Sequence, residues 1–346
     1  MCMLRSGMRT TLRVSPFAPL PEVLEFTKRV DAAGFDGIGY LDSQMINRDL
    51  WVTMGAAATV TDRLRLVAAV TNPLSRHISV TASAAASVDD LAPGRVEVWI
   101  GRGFSAVNMA GLHEATTLEM RTAILQYRRL MAAEWDVFPG THSQMRVSGR
   151  NAPIYLAAAG PRTMRLAGEV ADGILAANGF TQRAIEEARG LVAEGAKSAG
   201  RDPSEIDFCL QALTCIRETR EAALYWAGPL LVLKLEDEAW LKAEGVDSRG
   251  IKAPPEFHAL YPEPQHSHDP ERARELAAMV PEELRMQIAE RVGFIGTAED
   301  VIAGMRRVSS AGIRYVFMRT IDTLSFPEAE VEIYGAKVRQ AVAELP

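Results

Sequence analysis

The sequence of 346 residues contains little cysteine and no long hydrophobic run. Its three cysteines, Cys2, Cys209 and Cys215, lack the spacing of a metal site and cannot all pair with one another. This cysteine usage favours a reducing compartment, so we predict a cytoplasmic protein. The first residues lack the apolar core of a signal peptide, and no window is long and apolar enough to span a bilayer. We therefore expect no association with a membrane.

Positive charge is not in excess either. The formal net charge is −6, and the sequence contains no basic cluster. Because a nucleic-acid-binding surface needs clustered lysine and arginine, we predict no nucleic-acid partner. The hydrophobic content of 48% and the charged content of 24% are typical of a globular protein.

The predicted strand ends lack the residue sets with which enzymes catalyse reactions unaided. Paired carboxylates, a Ser/His/Asp set and a cluster with metal-ligand spacing are all missing there. His258, His266 and His268 lie in an irregular stretch without a nearby cysteine or an i, i+4 partner, so we predict no metal site. A pocket of this composition favours an enzyme that relies on a cofactor.

The residues that are present alternate between short apolar runs and longer segments with helical periodicity. The predicted strands are residues 10–14, 36–41, 64–70, 95–100, 153–156, 174–175, 206–216 and 312–318. The predicted helices are residues 21–33, 50–61, 79–91, 116–135, 161–171, 181–200, 281–292, 302–310 and 327–345. Such alternation implies a parallel sheet, and eight strand–helix units that close on themselves form a (β/α)8 TIM barrel.

We predict a single TIM-barrel domain over residues 1–346, with an irregular insertion at about residues 229–279. The insertion is dense in proline and histidine and shows no periodicity, which favours a lid or excursion rather than a domain. An open doubly wound sheet is the alternative fold. It would need a GxGxxG motif after the first strand, and SPFAP at residues 15–19 does not resemble one.

The stretch from Pro153 to Leu175 contains the clearest ligand-binding pattern. An apolar strand leads into small residues at 157–160, and Pro161 then suits the first turn of a helix. Small side chains leave backbone N–H groups exposed at this helix start, which makes the loop ready to take an anion. The alternative interpretation is a structural turn without a ligand.

Polar or glycine-rich residues follow three other predicted strands, where the site of a barrel lies. Asp42 could orient a ring or serve as an acid, or it could cap a turn. The pair Arg76–His77 could hold a phosphate or carboxylate, although a helix cap is the favoured role for His77. Arg102, between two glycines, could reach a phosphate or be an ordinary solvated arginine.

Three motifs carry a family resemblance: VTNPLSRH at 70–77, GRVEVWIGRG at 94–103 and YLAAAGPRTMRLAGEVADGIL at 155–175. With them the sequence resembles the bacterial-luciferase-like flavin and deazaflavin oxidoreductases. It is most similar to the branch that uses coenzyme F420, such as methylene-tetrahydromethanopterin reductases and glucose-6-phosphate dehydrogenases of that type. The similarity runs from about Arg9 to Val316 and is strongest between Gly34 and Leu175.

The resemblance implies a TIM barrel with the isoalloxazine-like ring of the cofactor in its mouth. A non-proline cis peptide would fall between Ala69 and Val70 and back the ring. Asp42, Thr71 and Asn72 would lie beside the ring. The elements that contact the cofactor's tail and its phosphate would be Gly101, Gly103, Ala158, Ala159, Gly160 and Pro161, and we count Arg102 with them.

Two positions depart from the sugar-phosphate dehydrogenases of this branch. Ser43 stands where they have a histidine, and Phe104 stands where they have a glutamate. We therefore do not predict sugar oxidation. Phe104 and the nearby Trp99 suggest a less polar substrate if both side chains point inward.

We predict an enzyme that transfers a hydride between coenzyme F420 and a small organic substrate. The candidate catalytic residues are Asp42, then Asn72 and His77. The alternatives are an FMN-dependent luciferase-like monooxygenase and a non-catalytic barrel relative. The family commonly forms homodimers, and the alanine-rich helices at 50–61 and 79–91 are candidates for that contact.

Overall fold

Parallel strands close into a barrel in the computed structural model, which describes residues 7–147, 152–260, 264, 267–321 and 323–345. The strands within these ranges are β1 Arg9–Val14, β2 Gly37–Tyr40, β3 Arg65–Thr71, β4 Val96–Ile100, β5 Ile154–Ala158, β6 Gly173–Ala176, β7 Asp207–Ile216, β8 Gly293–Gly296 and β9 Tyr315–Thr320. Strands β1 to β7 pair in chain order, and β9 pairs with both β7 and β1. This closure confirms the predicted (β/α)8 barrel.

Strand β8 is an addition to the eight strands that the sequence predicts. It pairs with the carboxyl-terminal half of β7, where Leu213 lies opposite Gly293, whereas the amino-terminal half of β7 pairs with β6. The sequence analysis missed β8 because it is only four residues long, begins and ends with glycine, and follows a helix directly.

Helices cover the outside of the barrel. Their bounds are α1 Leu20–Ala33, α2 Leu50–Ala58, α3 Ile78–Leu91, α4 Phe104–Asn108, α5 Thr117–Met131, α6 Pro161–Val170, α7 Gln182–Ser198, α8 Arg220–Val232, α9 Glu238–Ala243, α10 Pro255–His258, α11 Pro270–Ala278, α12 Glu282–Val292, α13 Ala298–Ser310, α14 Glu328–Ile333 and α15 Arg339–Ala343. Within the described ranges, none of them has the length and apolarity needed to cross a membrane.

Local chemistry explains several helix ends. Helix α1 ends at Gly34, whose φ of 93° suits glycine. Helix α13 starts with the expected capping box, in which Thr297 and Asp300 satisfy each other's backbone N–H groups. The predicted closing helix at 327–345 is interrupted by a π-helical turn at residues 334–338, where buried Tyr334 stacks on Phe35 at 4.0 Å between ring centroids.

The predicted irregular segment at 229–279 is helical in large part, and in this respect the prediction was wrong. Helix α8 continues to Val232 in spite of Pro229, and α9, α10 and α11 lie within the segment. These last three helices have only four to nine residues, too few to show a period in the sequence. Apolar side chains of α8, α11 and α12 share a second hydrophobic core with the end of β7.

Buried polar side chains fill the amino-terminal end of the barrel. The fully buried carboxyl group of Glu97 accepts hydrogen bonds from Trp99 Nε1 at 3.0 Å, Arg65 Nη1 at 3.0 Å and the Tyr315 hydroxyl at 3.1 Å. Burial raises the pKa of Glu97, and its attraction to Arg65 opposes this shift. Together with the Arg9–Asp207 ion pair, these groups close one end of the barrel.

Candidate active site

A cavity of about 380 Å³ opens at the carboxyl ends of the strands, where the sites of TIM barrels lie. The described residues that line it are Arg13, Leu41, Ser43, Ile46, Asn47, Ala69, Val70, Phe104, Ser105, Ala157, Leu175, Gln211, Phe317, Arg319 and Thr323. Three predicted cofactor residues or their neighbours, Ala69, Val70 and Ala157, are among them. The cavity is therefore the candidate active site.

Small side chains form the cavity wall along β3, β4 and β5. The peptide bond between Ala69 and Val70 is cis, as the family resemblance implies, and the pairing of β3 with β4 shifts register between Ala69 and Thr71. Gly101 at the end of β4 keeps this wall open, because a Cβ there would lie 3.2 Å from Val70 Cγ2. A flat ring can approach such a wall closely.

Asp42 lies behind this wall, outside the set of residues that line the cavity. Its carboxylate is buried, accepts a hydrogen bond of 2.7 Å from Thr71 Oγ1 and lies 3.3 Å from Arg76 Nε. Arg76 also pairs with Asp49 at 2.6 Å. Burial disfavours the Arg76 cation, but attraction to Asp42 and hydrogen bonds to both carboxylates outweigh it, so the pKa of Arg76 is raised. This network joins the loops after β2 and β3.

Asn72 holds the loop after β3 in shape. Its side-chain oxygen accepts from the backbone N–H of Leu74 at 3.0 Å and of Ser75 at 2.8 Å, and its amide donates to Ser75 Oγ at 2.8 Å. The side chain is buried. Gly103 packs against it with a φ of +85°, and a Cβ at Gly103 would lie 2.8 Å from Asn72 Cβ.

His77 is an exposed N-cap of helix α3. Its Nδ1 accepts from the backbone N–H of Ser79 at 3.4 Å, and its ring lies 5.0 Å from that of Phe138. This position agrees with the helix-capping role that the sequence analysis favoured for His77. Asp42, Asn72 and His77 thus all lie outside the cavity lining, in the loops that support it.

The loop after β5 leads from the cavity to the start of helix α6. Ala157 lines the cavity, and Gly160, three residues later, is the N-cap of α6 without a side-chain hydrogen bond to the helix. A Cβ at Gly160 would meet no atom within 4 Å. Ala158, Ala159 and Pro161 complete this open helix start, which has the geometry of an anion site.

Arg102 contacts the loop before α5. Its Nε donates to the Ala115 carbonyl at 3.1 Å, its Nη2 lies 3.3 Å from Glu114, and more than half of its side chain is exposed. The contacts with residues 114–115 hold the guanidinium group against the loop before α5.

Several cavity residues were not identified from the sequence, above all Arg13, Asn47, Gln211, Phe317 and Arg319. The alternation of side chains along a strand could have identified two of them from the sequence. Every second residue of β1 and β9 faces the barrel interior, so Arg13 follows Thr11, and Arg319 follows Phe317. Burial lowers the pKa of the Arg319 guanidinium.

Comparison with known proteins assigns this architecture to a family. The model of the luciferase-like monooxygenase family matches residues 1–315, which is most of the chain. The chain belongs to this family.

Two relatives of this luciferase-like chain are named as a reductase and as an F420-dependent dehydrogenase. A 5,10-methylenetetrahydromethanopterin reductase from Methanolobus tindarius is 31% identical over 217 residues, which cover 60% of this chain and 65% of that protein. An F420-dependent glucose-6-phosphate dehydrogenase from Beutenbergia cavernae is 32% identical over 236 residues, which cover 60% of this chain and 67% of that protein. The chain spans just under two thirds of the first relative and just over two thirds of the second.

A solved structure shares the fold of the luciferase-like chain over nearly its full length. The coenzyme F420-dependent tetrahydromethanopterin reductase from Methanopyrus kandleri matches with a TM-score of 0.77 over 97% of this chain and 99% of that chain. At 20% sequence identity, this match shows a common fold.

The side chains of Ser43, Trp99 and Phe104 lie at different depths in the barrel. Phe104 lines the outer rim of the cavity and is 57% exposed, and Ser43 lies beside it, with its hydroxyl 2.7 Å from that of Ser105. Trp99 points inward, but it packs deep in the barrel against Tyr155 and Phe317. Phe104 and Ser43 therefore line the cavity, whereas Trp99 does not belong to its lining.

A second cavity of about 490 Å³ adjoins the first through Thr323, which lines both. It lies between α8, α11 and the loop after β9, and His268 and Trp226 are among its lining residues. His258 lies 3.4 Å from Glu236, and His266 lies outside the described residues. In the described ranges, no three metal-ligating side chains come together.

Proposed function

We propose that this protein is an oxidoreductase that transfers a hydride between coenzyme F420 and a small organic substrate. The observation that carries the proposal is the cavity at the barrel mouth, whose small-residue wall leads directly to the open start of helix α6. Its F420-dependent relatives support the choice of cofactor. The family resemblance implies a histidine and a glutamate in the sugar-phosphate dehydrogenases where this chain has Ser43 and Phe104, so we do not propose sugar oxidation.

The residues of the cavity fit a deazaflavin with a phosphorylated tail. Ala69, Val70 and Ala157 would contact the flat ring, because none of them projects far from the wall. The phosphate would lie at the start of α6, near Gly160 and Pro161, where unpaired helix N–H groups favour an anion. Gly101 and Gly103 would leave room for the chain between ring and phosphate.

The bound cofactor supplies the carbon that gives or accepts the hydride, and the protein supplies position and environment. Leu175 and Phe317 line the cavity with apolar side chains, which would exclude water beneath the ring. Asp42, Thr71 and Asn72 are positioning residues in this proposal, since they hold the loops behind the ring rather than contact the substrate. His77 takes the same kind of role as the cap of α3.

We further propose that the protein works in the cytoplasm as a homodimer. The support is its cysteine usage and the exposed apolar side chains of α2 and α3, such as Val52 and Val80. Sedimentation analysis tests the dimer, and a monomer at micromolar concentration would rule it out.

Titration of the purified protein with F420 and with FMN in parallel tests the cofactor. Intrinsic tryptophan fluorescence reports binding, because Trp99 packs against the same Phe317 that lines the cavity. We expect tight binding of F420 and weak or absent binding of FMN. Preference for FMN would move the protein to the monooxygenase alternative, and binding of neither would favour a non-catalytic barrel.

A further inference from the structure

Two serine hydroxyls face each other at the mouth of the first cavity. Ser43 lies in the loop after β2 and Ser105 lies in α4, and both line the cavity. Their Oγ atoms are 2.7 Å apart, which is the usual distance of an O–H···O hydrogen bond. Neither hydroxyl has another hydrogen-bond partner among the described residues. Because each hydroxyl carries one proton and the contact uses only one of them, the pair keeps one donor for a ligand.

The contact between the two serines crosses the end of β3. In the barrel, β3 lies between β2 and β4, and the serines follow those two outer strands. The cis peptide between Ala69 and Val70 lies near the end of β3, in the wall that would contact the ring. The hydroxyl pair therefore lies at the same side of the cavity as the proposed position of the ring.

Backbone and amide hydrogen bonds hold the two loops independently of the hydroxyl pair. The carbonyl of Ser43 accepts from the backbone N–H groups of Ile46 at 2.9 Å and Asn47 at 2.8 Å, which closes a tight turn. Gln44 Nε2 donates to the carbonyl of Ala106 in α4 at 2.8 Å. Because this second bridge joins the same two loops, their connection does not rest on the hydroxyl pair alone.

Apolar side chains flank the hydroxyl pair within the cavity lining. Phe104 directly precedes Ser105 in the chain. Ile46 belongs to the turn that begins at Ser43, and Val70 lies on the neighbouring wall. A polar substituent would lose hydration against these side chains without gaining a hydrogen bond from them, whereas an apolar substituent gains contact. This part of the cavity therefore suits a single polar atom with an apolar substituent.

We infer that the hydroxyl pair of Ser43 and Ser105 binds the oxygen of the reacting carbonyl group, and that the substrate is an apolar ketone or aldehyde or the corresponding alcohol. This inference rests on the proposed function. The carbonyl oxygen would accept the remaining proton of the pair as a hydrogen bond. The bond between the two hydroxyls would polarise this donor and so strengthen it. The apolar substituent would lie against Phe104 and Ile46.

Reduction of such a carbonyl group moves two hydrogens from reduced F420 to the substrate, one directly as a hydride to carbon and one as a proton by way of solvent. The π pair of the C=O bond becomes a lone pair on oxygen, where negative charge develops. Ser43 and Ser105 meet this charge with a donor that is already in place. One hydroxyl passes its proton to the oxygen and regains a proton from its partner. Since both serines are only half-buried, the partner takes its proton from solvent.

Infrared difference spectroscopy tests the contact directly. The protein is loaded with oxidised F420, which has no hydride to give, and is mixed with cyclohexanone in its natural and its carbon-13 carbonyl form. A hydrogen bond to the oxygen weakens the C=O bond. We therefore expect a lower stretching frequency in the parent than in the double variant Ser43→Ala/Ser105→Ala. Equal frequencies in the two proteins, or no binding of the ketone to the parent, would overturn the inference.

Calorimetric titration with cyclohexanone measures the strength of the contact. We expect the double serine variant to bind the ketone about 3- to 10-fold more weakly than the parent, because one neutral hydrogen bond is lost. Ser83→Ala, at an exposed position of α3, is the matched control and should bind like the parent. Gln44→Ala removes the second bridge and leaves the hydroxyl pair. If Q44A weakened ketone binding as much as the double variant does, the serines would only hold the loops together, and the inference would be wrong.

The polarity of the substituent tests the substrate class. We expect cyclohexanone to bind on the order of tenfold more tightly than dihydroxyacetone. Phe104→Ala should lower this preference, whereas Leu118→Ala, at an exposed position of α5, should not. Tighter binding of dihydroxyacetone would contradict an apolar substrate. F420 affinity, measured separately by fluorescence, distinguishes the two proposals. A parent protein that does not bind F420 refutes the proposed function, and one that binds F420 but no ketone refutes this inference alone.

Discussion

The hydroxyl group of Thr71, at the end of β3, donates a hydrogen bond of 2.7 Å to the buried carboxylate of Asp42, which follows β2. This contact joins two neighbouring strand ends directly behind the small-residue wall of the cavity. Arg76 pairs with the same carboxylate from the loop after β3. Asp42 therefore connects the loops that support the cavity and does not line the cavity itself.

Asp42→Asn should destabilise the protein by about 1–3 kcal/mol, because the amide still accepts from Thr71 but no longer pairs with the Arg76 cation. Urea unfolding of D42N, of Arg76→Met and of the double variant measures this. We expect the double variant to lose less free energy of unfolding than the sum of the losses in the two single variants. Exposed Asp62→Asn should have little effect. A D42N protein with parental stability and no turnover would instead indicate direct participation in the reaction.

Gly103→Ala should lower both stability and cofactor affinity. The φ of +85° at Gly103 is unfavourable for alanine, and the added Cβ would lie 2.8 Å from Asn72 Cβ and 2.9 Å from Val107 Cγ1. Gly94→Ala is the matched control, since Gly94 has a φ of +72° but open space around it. We expect G94A to lose about 1–2 kcal/mol from the backbone term alone. If G103A cost no more than this, crowding against Asn72 would be unimportant.

Gly160→Asp should separate cofactor binding from folding. The new side chain enters open space at the N-cap of α6, where a carboxylate caps the helix and interacts favourably with its dipole. We expect the melting temperature to hold or rise, while F420 affinity falls through repulsion of the cofactor's phosphate. Gly160→Ser caps without charge and should keep most of the affinity. Equal F420 binding by the parent and G160D would place the phosphate elsewhere.

Glu119 should make stability depend on acid pH. Hydrogen bonds from the backbone N–H and the hydroxyl of Thr116 lower the pKa of Glu119 from 4.5 to about 2, and a hydrogen bond from His113 makes a smaller contribution in the same direction. A carboxylate with a lowered pKa stabilises the folded state above its unfolded pKa and loses this contribution as the pH falls toward the folded value. Urea unfolding of the parent and Glu119→Gln should therefore differ at pH 6 and converge near pH 2. A difference that stays constant over this range would show that the capping box does not depend on the charge.

The barrel could be predicted because its strands are short apolar runs with turn residues at both ends. Local sequence was sufficient for β3 or β5, since each run by itself indicates a buried strand. It was insufficient for β8, because the four residues of that strand owe their structure to pairing with the distant end of β7. The short helices within 229–279 were missed for a similar reason: the core that they share with α8 and α12 stabilises them.

The sequence identified part of the cavity lining, at Ala69 and Val70, but not the arginines that also line it. The glycines and small residues after β4 and β5 form recognisable motifs, whereas Arg13 and Arg319 sit inside ordinary strands. Their common cavity exists only because β9 closes on β1, a pairing across some 300 residues of chain that no local pattern reveals. The contacts of the Asp42 carboxylate could not be predicted either, because its partners Thr71 and Arg76 come from another strand end.

The buried polar side chains around Glu97, at the amino-terminal end of the barrel, have a consequence for binding kinetics. Since the described side chains around Glu97 fill the amino-terminal end of the barrel, we expect ligands to enter the cavity from the opposite rim. A molecule seated near that rim blocks the exit of one bound deeper. We therefore expect the two reactants of the proposed hydride transfer to bind and leave in a compulsory order, which product-inhibition patterns would display even if each bound with the same strength.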